Sequence, residues 1–165
     1  MMPENQDFVA MQIDPETDKP KIRQLVAIKK QRNIINLDGL EFSLLREIKL
    51  LQELNHQNIV KLYDVFHIKN VLYFALEYGA VDLEDLIFKY GTNKKEMKEN
   101  DPEPIILEAQ HVKCIFKQIM EGMSYLHSNW IMHRDLKPAN MVIADDGVIK
   151  IIDFNSAKIY GSPKR

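Results

Sequence analysis

The chain has 165 residues, 45% of them apolar and 28% charged, with a formal net charge of -2. This composition excludes a disordered chain, and near-neutrality leaves no electrostatic case for nucleic acid or a membrane surface as the main partner. The single cysteine, Cys114, excludes an intrachain disulfide and makes a reducing intracellular setting the expectation.

A chain of this length supports one real core, burying about two thirds of the unfolded surface. Residues 1–19 mix acids, prolines and polar groups without the apolar segment of a signal peptide. No apolar run approaches the length of a membrane helix.

Phe8-Val9-Ala10-Met11 reads as a short strand, and the stretch from Asp14 to Lys21 as a polar turn with two prolines. Leu25 to Lys29 is the next strand, ending on a lysine. Asp38 with Glu41 three residues later makes a capping-box-like start to a helix running to about Leu54. Leu44, Leu50, Leu51 and Leu54 gather around Glu47 at helical spacing, while Arg46, Lys49 and Glu53 fall on the other side. A carboxylate in an apolar stripe needs a cation, because an unpaired buried charge costs several kcal/mol. Lys29, closing an apolar strand, has the complementary need. The other reading is an exposed pair of Glu47 with Lys49 or Arg46.

Apolar runs Ile59 to Phe66 and Val71 to Glu77, joined at His67 to Asn70, complete a small antiparallel sheet. Asp82 can cap a short helix with Leu83, Leu86 and Ile87 on one face. Gly91 to Pro104 is almost wholly polar and reads as an exposed loop. The helix from about Leu107 to Ser128 is the clearest, with Val112, Ile115, Phe116, Ile119, Met123 and Leu126 on one stripe. Its aromatics and methionines read as core, and Cys114 within it as a buried, inert thiol.

Next comes His133-Arg134-Asp135-Leu136-Lys137-Pro138-Ala139-Asn140, with Asp153-Phe154 beyond it. Residues two apart in an extended loop point the same way, so Asp135 and Lys137 can act together. A carboxylate can take the proton of an attacking hydroxyl while an ammonium neutralises charge on a transferring phosphate. Asn140 and Asp153 offer hard oxygens that suit Mg2+ held together with phosphates. Met141 to Ile143 and Val148 to Ile152 form a hairpin about Ala144-Asp145-Asp146-Gly147, which brings Asp153 close behind Asn140.

Val26-Ala27-Ile28-Lys29, Glu47 in a helix, the His-Arg-Asp loop and Asp153-Phe154 together resemble the protein kinases. Leu45 to Val60 is similar to the cyclin-binding helix and following strand of the cyclin-dependent kinases. Trp130 and Tyr160-Gly161-Ser162-Pro163-Lys164-Arg165 resemble the CDK-activating, transcription-linked branch, and the long polar loop the Mediator-associated branch. The resemblance implies an α+β, protein-kinase-like fold. Residues 1–78 would be a small antiparallel β lobe with one regulatory helix, joined by a hinge to a partial, mainly helical C-lobe over 79–165.

By the same resemblance the chain would transfer the ATP γ-phosphate to protein serine or threonine hydroxyls. Lys29, oriented by Glu47, would hold the α and β phosphates; Asp135 would deprotonate the substrate and Lys137 touch the γ-phosphate. Asn140 and Asp153 would hold Mg2+. Ala27, Leu76 and Val142 would line the adenine pocket, the backbone of Glu77 and Gly79 would bond the adenine edge, and Asp82 would lie near the ribose or simply cap its helix. Leu51, Leu62, His133 and Phe154 match an apolar stack of the family. The implied partners are a cyclin-like subunit and protein substrates, without nucleic acid or membrane, in an intracellular setting that by resemblance is the nucleus, with the cytoplasm as the alternative.

Three departures accompany the match. No Gly-x-Gly-x-x-Gly loop precedes Val26, so the chain reads as beginning after it. Asn155 stands where the family has glycine, the non-glycine residue that best tolerates φ > 0. The chain also reads as ending inside the activation segment, which leaves Arg134 without a phosphothreonine partner and the Val112 to Leu126 stripe with an exposed apolar face. These departures support the alternative of a catalytically dead, kinase-derived module that docks a cyclin-like partner.

Overall fold

The computed structural model describes residues 8–13, 24–31, 35–36, 39–40, 42–69, 71–90 and 107–161. The polar turn from Asp14 to Lys21, the loop from Gly91 to Pro104 and residues 162–165 lie outside them. The chain divides into two compact units, residues 1–55 with 60–78 and residues 56–59 with 79–165.

In the first unit, strands β1 (Phe8–Ile13), β2 (Gln24–Gln31), β5 (Leu62–Ile68) and β6 (Val71–Glu77) form one antiparallel sheet in the order β1-β2-β6-β5. β-branched and aromatic residues suit a pleat, and here residues of both faces are buried: Val26, Ile28 and Ala75 on one, with Tyr63, Phe66 and Tyr73 packed against them, and Lys29, Phe74 and Leu76 on the other. The β5–β6 connection turns at Lys69, whose φ of 47° lies in the left-handed region.

Between β2 and β5 the chain forms the short pair β3 (Ile35–Asn36) and β4 (Gly39–Leu40), then helix α1 (Phe42–Glu53). The helix thus starts later than the sequence suggests, because Gly39 and Leu40 are taken into a strand pair. Asp38 and Glu41, the expected cap, lie outside the described residues. Leu44, Leu50, Leu51 and Leu54 are buried together with Glu47, while Arg46, Lys49 and Glu53 are exposed.

The expected strand from Ile59 also starts later, at Leu62. Ile59 instead forms a parallel bridge with Ile151 in the second unit. The register shifts between Leu62 and Asp64, a bulge in β5.

The second unit carries helices α2 (Leu83–Tyr90) and α3 (Ala109–Ser128) with short strands β7 (Val81–Asp82), β8 (Ile131–Met132), β9 (Met141–Ile143), β10 (Ile149–Ile151) and β11 (Lys158–Ile159). The strands pair as β10-β9-β7 and β11-β8, all antiparallel. Leu83, Met141 and Ile149 form the core, with Ile115, Ile119 and Ile143 against it. The β9–β10 hairpin closes through Gly147, whose φ of 80° is available to glycine at no steric cost and whose N–H donates to the Ala144 carbonyl.

Along α3 the stripe divides: Ile115, Ile119 and Leu126 face the core, but Val112 is 52% exposed, Phe116 61% and Met120 52%. This agrees with the expected exposed apolar face and corrects the reading of the helix's aromatics and methionines as core. Cys114 is exposed rather than buried, because it lies outside the Ile115/Ile119 face that meets the core. In α2, Leu83 and Leu86 are buried while Ile87 is exposed, since a helix of two turns turns only a narrow face inward.

Candidate active site

Lys29 and Glu47 meet in the first unit. Lys29 Nζ lies 3.0 Å from Glu47 Oε1, with the two side chains 3% and 1% exposed. Strand β2 delivers Lys29 on the face opposite Val26 and Ile28, and helix α1 delivers Glu47 from its leucine stripe. The exposed pairing of Glu47 with Lys49 or Arg46 is thereby excluded. Ala27 sits opposite Leu76 in the β2–β6 register, Leu76 buried and Ala27 half-buried. The N–H of Glu77 donates to the Lys61 carbonyl, and a Glu77 carboxylate oxygen accepts the Lys61 N–H.

The second unit holds the other candidates. Asp135 Oδ2 accepts from Lys137 Nζ at 3.0 Å and from Asn140 Nδ2 at 2.8 Å. Asn140 Nδ2 also donates to the main-chain carbonyl of Asp135, at 2.8 Å. Pro138, with its fixed φ, opens the 3-10 turn Pro138–Asn140 that carries Asn140 back to the loop. The hydrogen bond from Lys137 holds the Asp135 carboxyl below the usual carboxylate range against its partial desolvation, and the Asn140 amide adds to the effect. The same bond raises the Lys137 ammonium above its ordinary value.

His133 is buried edge-on against Phe154, ring centroids 4.9 Å apart. Its Nε2 lies 2.9 Å from the Ile152 carbonyl, and its Nδ1 accepts the Asp135 N–H at 3.3 Å. A neutral ring protonated on Nε2 satisfies both bonds. Burial accordingly holds its pKa below the ordinary histidine value. Leu51 and Leu62, the other members of the expected stack, belong to the first unit, Leu51 buried and Leu62 half-buried.

The Ile152 N–H donates to the Asn140 carbonyl, tying the strand before Asp153 to the turn that carries Asn140. Asp153 has φ 64° and Arg134 φ 68°, so two of the charged residues of this loop system lie in the left-handed region. Such conformations carry local strain and concentrate at functional sites. Arg134 donates from Nε to the Ser156 carbonyl at 2.6 Å. Asn155 Nδ2 donates to Asp153 Oδ1 at 2.8 Å.

Asn155 itself is not among the residues with positive φ. The expectation that asparagine replaces glycine there for backbone reasons is therefore corrected. Its side chain acts on Asp153 instead.

Gly79 and Val142 adjoin. A Cβ on Gly79 would stand 2.4 Å from Val142 Cγ2, so only glycine lets the chain pass so close to this branched side chain. The next residue, Ala80, donates its N–H to the Ile143 carbonyl. Asp82 Oδ1 accepts the Asp85 N–H at 2.7 Å, the N-cap bond of α2.

A network that the sequence did not signal lies behind the loop. Asn58, fully buried, donates from Nδ2 to the Ile149 carbonyl and to Gln118 Oε1, and Gln118 Oε1 also accepts the Ile149 N–H. A polar residue inside the Asn58-Ile59-Val60 run, and another inside the α3 stripe, were the available clues.

The donor set fits Mg2+. With Asn140 Nδ2 spent twice on Asp135, its amide oxygen is turned away from that carboxylate. Asn140 and Asp153 thus offer hard oxygens, as Mg2+ requires when phosphates supply the rest. Among the described residues no group of three or more His, Cys, Asp or Glu could hold a metal ion unaided. None of the described helices is long and apolar enough to cross a membrane.

Comparison with known proteins matches residues 17–165 to the family described as protein kinase domain. The chain is similar to cyclin-dependent kinase 7 of Dictyostelium discoideum, 39% identical over 146 residues, covering 86% of this chain and 37% of that protein. It is likewise 39% identical to cyclin-dependent kinase 7 of Xenopus laevis over 156 residues, covering 92% of this chain and 39% of the other. Against cyclin-dependent kinase E-1 of Arabidopsis thaliana it is 39% identical over 145 residues, 84% of this chain and 29% of that protein. The chain therefore spans well under half the length of these relatives.

Proposed function

The chain belongs to the protein kinase domain family, and within it to the cyclin-dependent kinases; from that premise we propose that it transfers the ATP γ-phosphate to serine or threonine hydroxyls of proteins. Mg2+ is the cofactor and a cyclin-like subunit the regulatory partner. The observation that carries this reading is the shared oxygen of Asp135, with Lys137 Nζ at 3.0 Å and Asn140 Nδ2 at 2.8 Å.

The chemistry follows from what each group can do. Asp135, whose carboxyl its two donors hold below the usual range, orients the attacking hydroxyl and takes its proton as the oxygen bonds to the γ-phosphorus. The bond from that phosphorus to the ADP oxygen breaks in line, and the phosphoryl charge falls to Lys137. Asn140 and Asp153 hold Mg2+, which when bound neutralises charge on the phosphates. Lys29, held by Glu47, binds the α and β phosphates. Ala27, Leu76, Val142 and the backbone of Glu77 and Gly79 receive the adenine, with Asp82 toward the ribose. An intracellular, nuclear setting goes with this reading.

The test is transfer of labelled γ-phosphate to a serine/threonine peptide library with a cyclin-like subunit added. Asp135→Asn is expected to lower the rate about 10²- to 10⁴-fold. Equal rates for the two proteins would overturn the assignment. Capture of the cyclin-like subunit without transfer by either protein would leave partner docking as the function.

A further inference from the structure

Strand β10 leads to Asp153, and in its sheet it pairs on one side only, with β9. Main-chain groups on its other edge find partners of a different kind. The Ile149 N–H donates to Gln118 Oε1 at 3.0 Å, and the Ile149 carbonyl accepts from Asn58 Nδ2 at 3.0 Å. Two residues on, the Ile151 N–H donates to the Asn58 carbonyl at 2.9 Å. Asn58 Nδ2 also donates to Gln118 Oε1, at 3.2 Å, so the two amides are tied to each other. Gly122 lets α3 come this close, since a Cβ there would stand 3.2 Å from the Asn58 carbonyl oxygen.

Buried main-chain groups on an open strand edge are costly unless paired. Ile149 and Ile151 are buried, so this edge has to be satisfied by the protein itself. Asn58 and Gln118 stand in for a neighbouring strand and set where β10 lies. The next residue, Ile152, is held at its N–H by the Asn140 carbonyl and at its own carbonyl by His133 Nε2. No unheld residue separates the clamped strand from Asp153. A shift of β10 is therefore passed on to that carboxylate, and Mg2+ tolerates little departure from its octahedral geometry.

We infer that Asn58 and Gln118 are positioning residues for the metal site, their joined amides pinning the free edge of β10 and so setting the place of Asp153 relative to Asn140. Neither touches metal or nucleotide in this scheme. The inference rests on the proposed metal-holding role of Asp153 and Asn140.

The test uses the purified chain with a non-hydrolysable ATP analogue and follows bound Mn2+, which accepts the same oxygen ligands, by electron paramagnetic resonance. Affinities are read well below the melting temperature of every variant, where a loss of stability alone leaves them unchanged. Asn58→Ala and Gln118→Met are each expected to weaken Mn2+ binding about tenfold, the lower end of what partners outside the ligand shell contribute. Gln118→Glu keeps the acceptor that both N–H groups use and is expected to retain most of the affinity. If Asn58→Ala does not fold, the two Gln118 variants decide. Parent-like affinity in folded Asn58→Ala or Gln118→Met overturns the inference, as does equal weakening by Gln118→Met and Gln118→Glu. Asp153→Asn separates the two claims. If it weakens Mn2+ binding while the Asn58 and Gln118 variants keep it, only their positioning role fails. If it binds Mn2+ like the parent, or the parent binds none, the reading of Asp153 fails and the inference with it.

Discussion

Asn140 Nδ2 lies 2.8 Å from both the main-chain carbonyl and Oδ2 of Asp135, so one amide holds the proposed base at two points. Lys137 shares the same oxygen at 3.0 Å and is the larger cause of the lowered Asp135 pKa. Lys137→Ala is therefore expected to raise the Asp135 pKa, and Asn140→Ala to raise it less. Side-chain carboxyl NMR titration measures both shifts. A pKa that stays in place in Lys137→Ala would remove the pair from the account.

The Lys29–Glu47 pair is buried, and a buried ion pair responds unevenly to substitution. Glu47→Leu alone should cost about 3–5 kcal/mol, because the lysine charge remains in the core. Lys29→Met alone should cost a similar amount. The double variant should recover much of the loss, which a denaturant-unfolding double-mutant cycle reads directly. Additive losses would mean that the two charges are not coupled.

His133 sets a pH dependence. Burial holds its folded-state pKa below the ordinary 6.5, so the unfolded chain takes up this proton first as pH falls. The stability is fully present above the unfolded value and is lost on acidification through and below it. His133→Gln keeps a donor for the Ile152 carbonyl and an acceptor for the Asp135 N–H but does not titrate. Between about pH 7.5 and 5.5, the histidine range, its melting temperature should fall less steeply than that of the parent chain. Parallel curves would contradict the assignment.

Asn58 joins the segment before Val60 to the hairpin and to α3. Asn58→Ala leaves the Ile149 carbonyl without this donor and should cost about 1–3 kcal/mol in chemical denaturation. Gln118→Ala should be non-additive with it, since the two share one network. Strict additivity would show that they act separately.

Residues whose chemistry and burial point the same way were legible in the sequence. The leucines around Glu47 predict both the α1 face and the need for a cation, and β2 supplies Lys29. The loop from His133 to Asn140 was legible because its residue spacing predicts that Asp135 and Lys137 act together, and the two side chains meet at 3.0 Å. What one apolar run touches was not. Ile59 reads as the start of β5 but bridges to Ile151, because a hydrophobic pattern does not say which strand it will meet. Periodicity equally cannot say that Phe116 and Val112 stay exposed while Ile115 and Ile119 are covered. At Asn155 the sequence predicts backbone tolerance, whereas the side chain makes a hydrogen bond to Asp153 that only the folded turn creates.

The central claim is that Lys29 and Lys137 act on the phosphates of ATP. An acyl-phosphate derivative of ATP acylates lysines that lie beside the bound phosphates, and peptide mapping by mass spectrometry identifies them. The account predicts acylation of Lys29 and Lys137 above the other lysines, suppressed by excess ATP with Mg2+. Labelling spread over surface lysines and indifferent to ATP would contradict it.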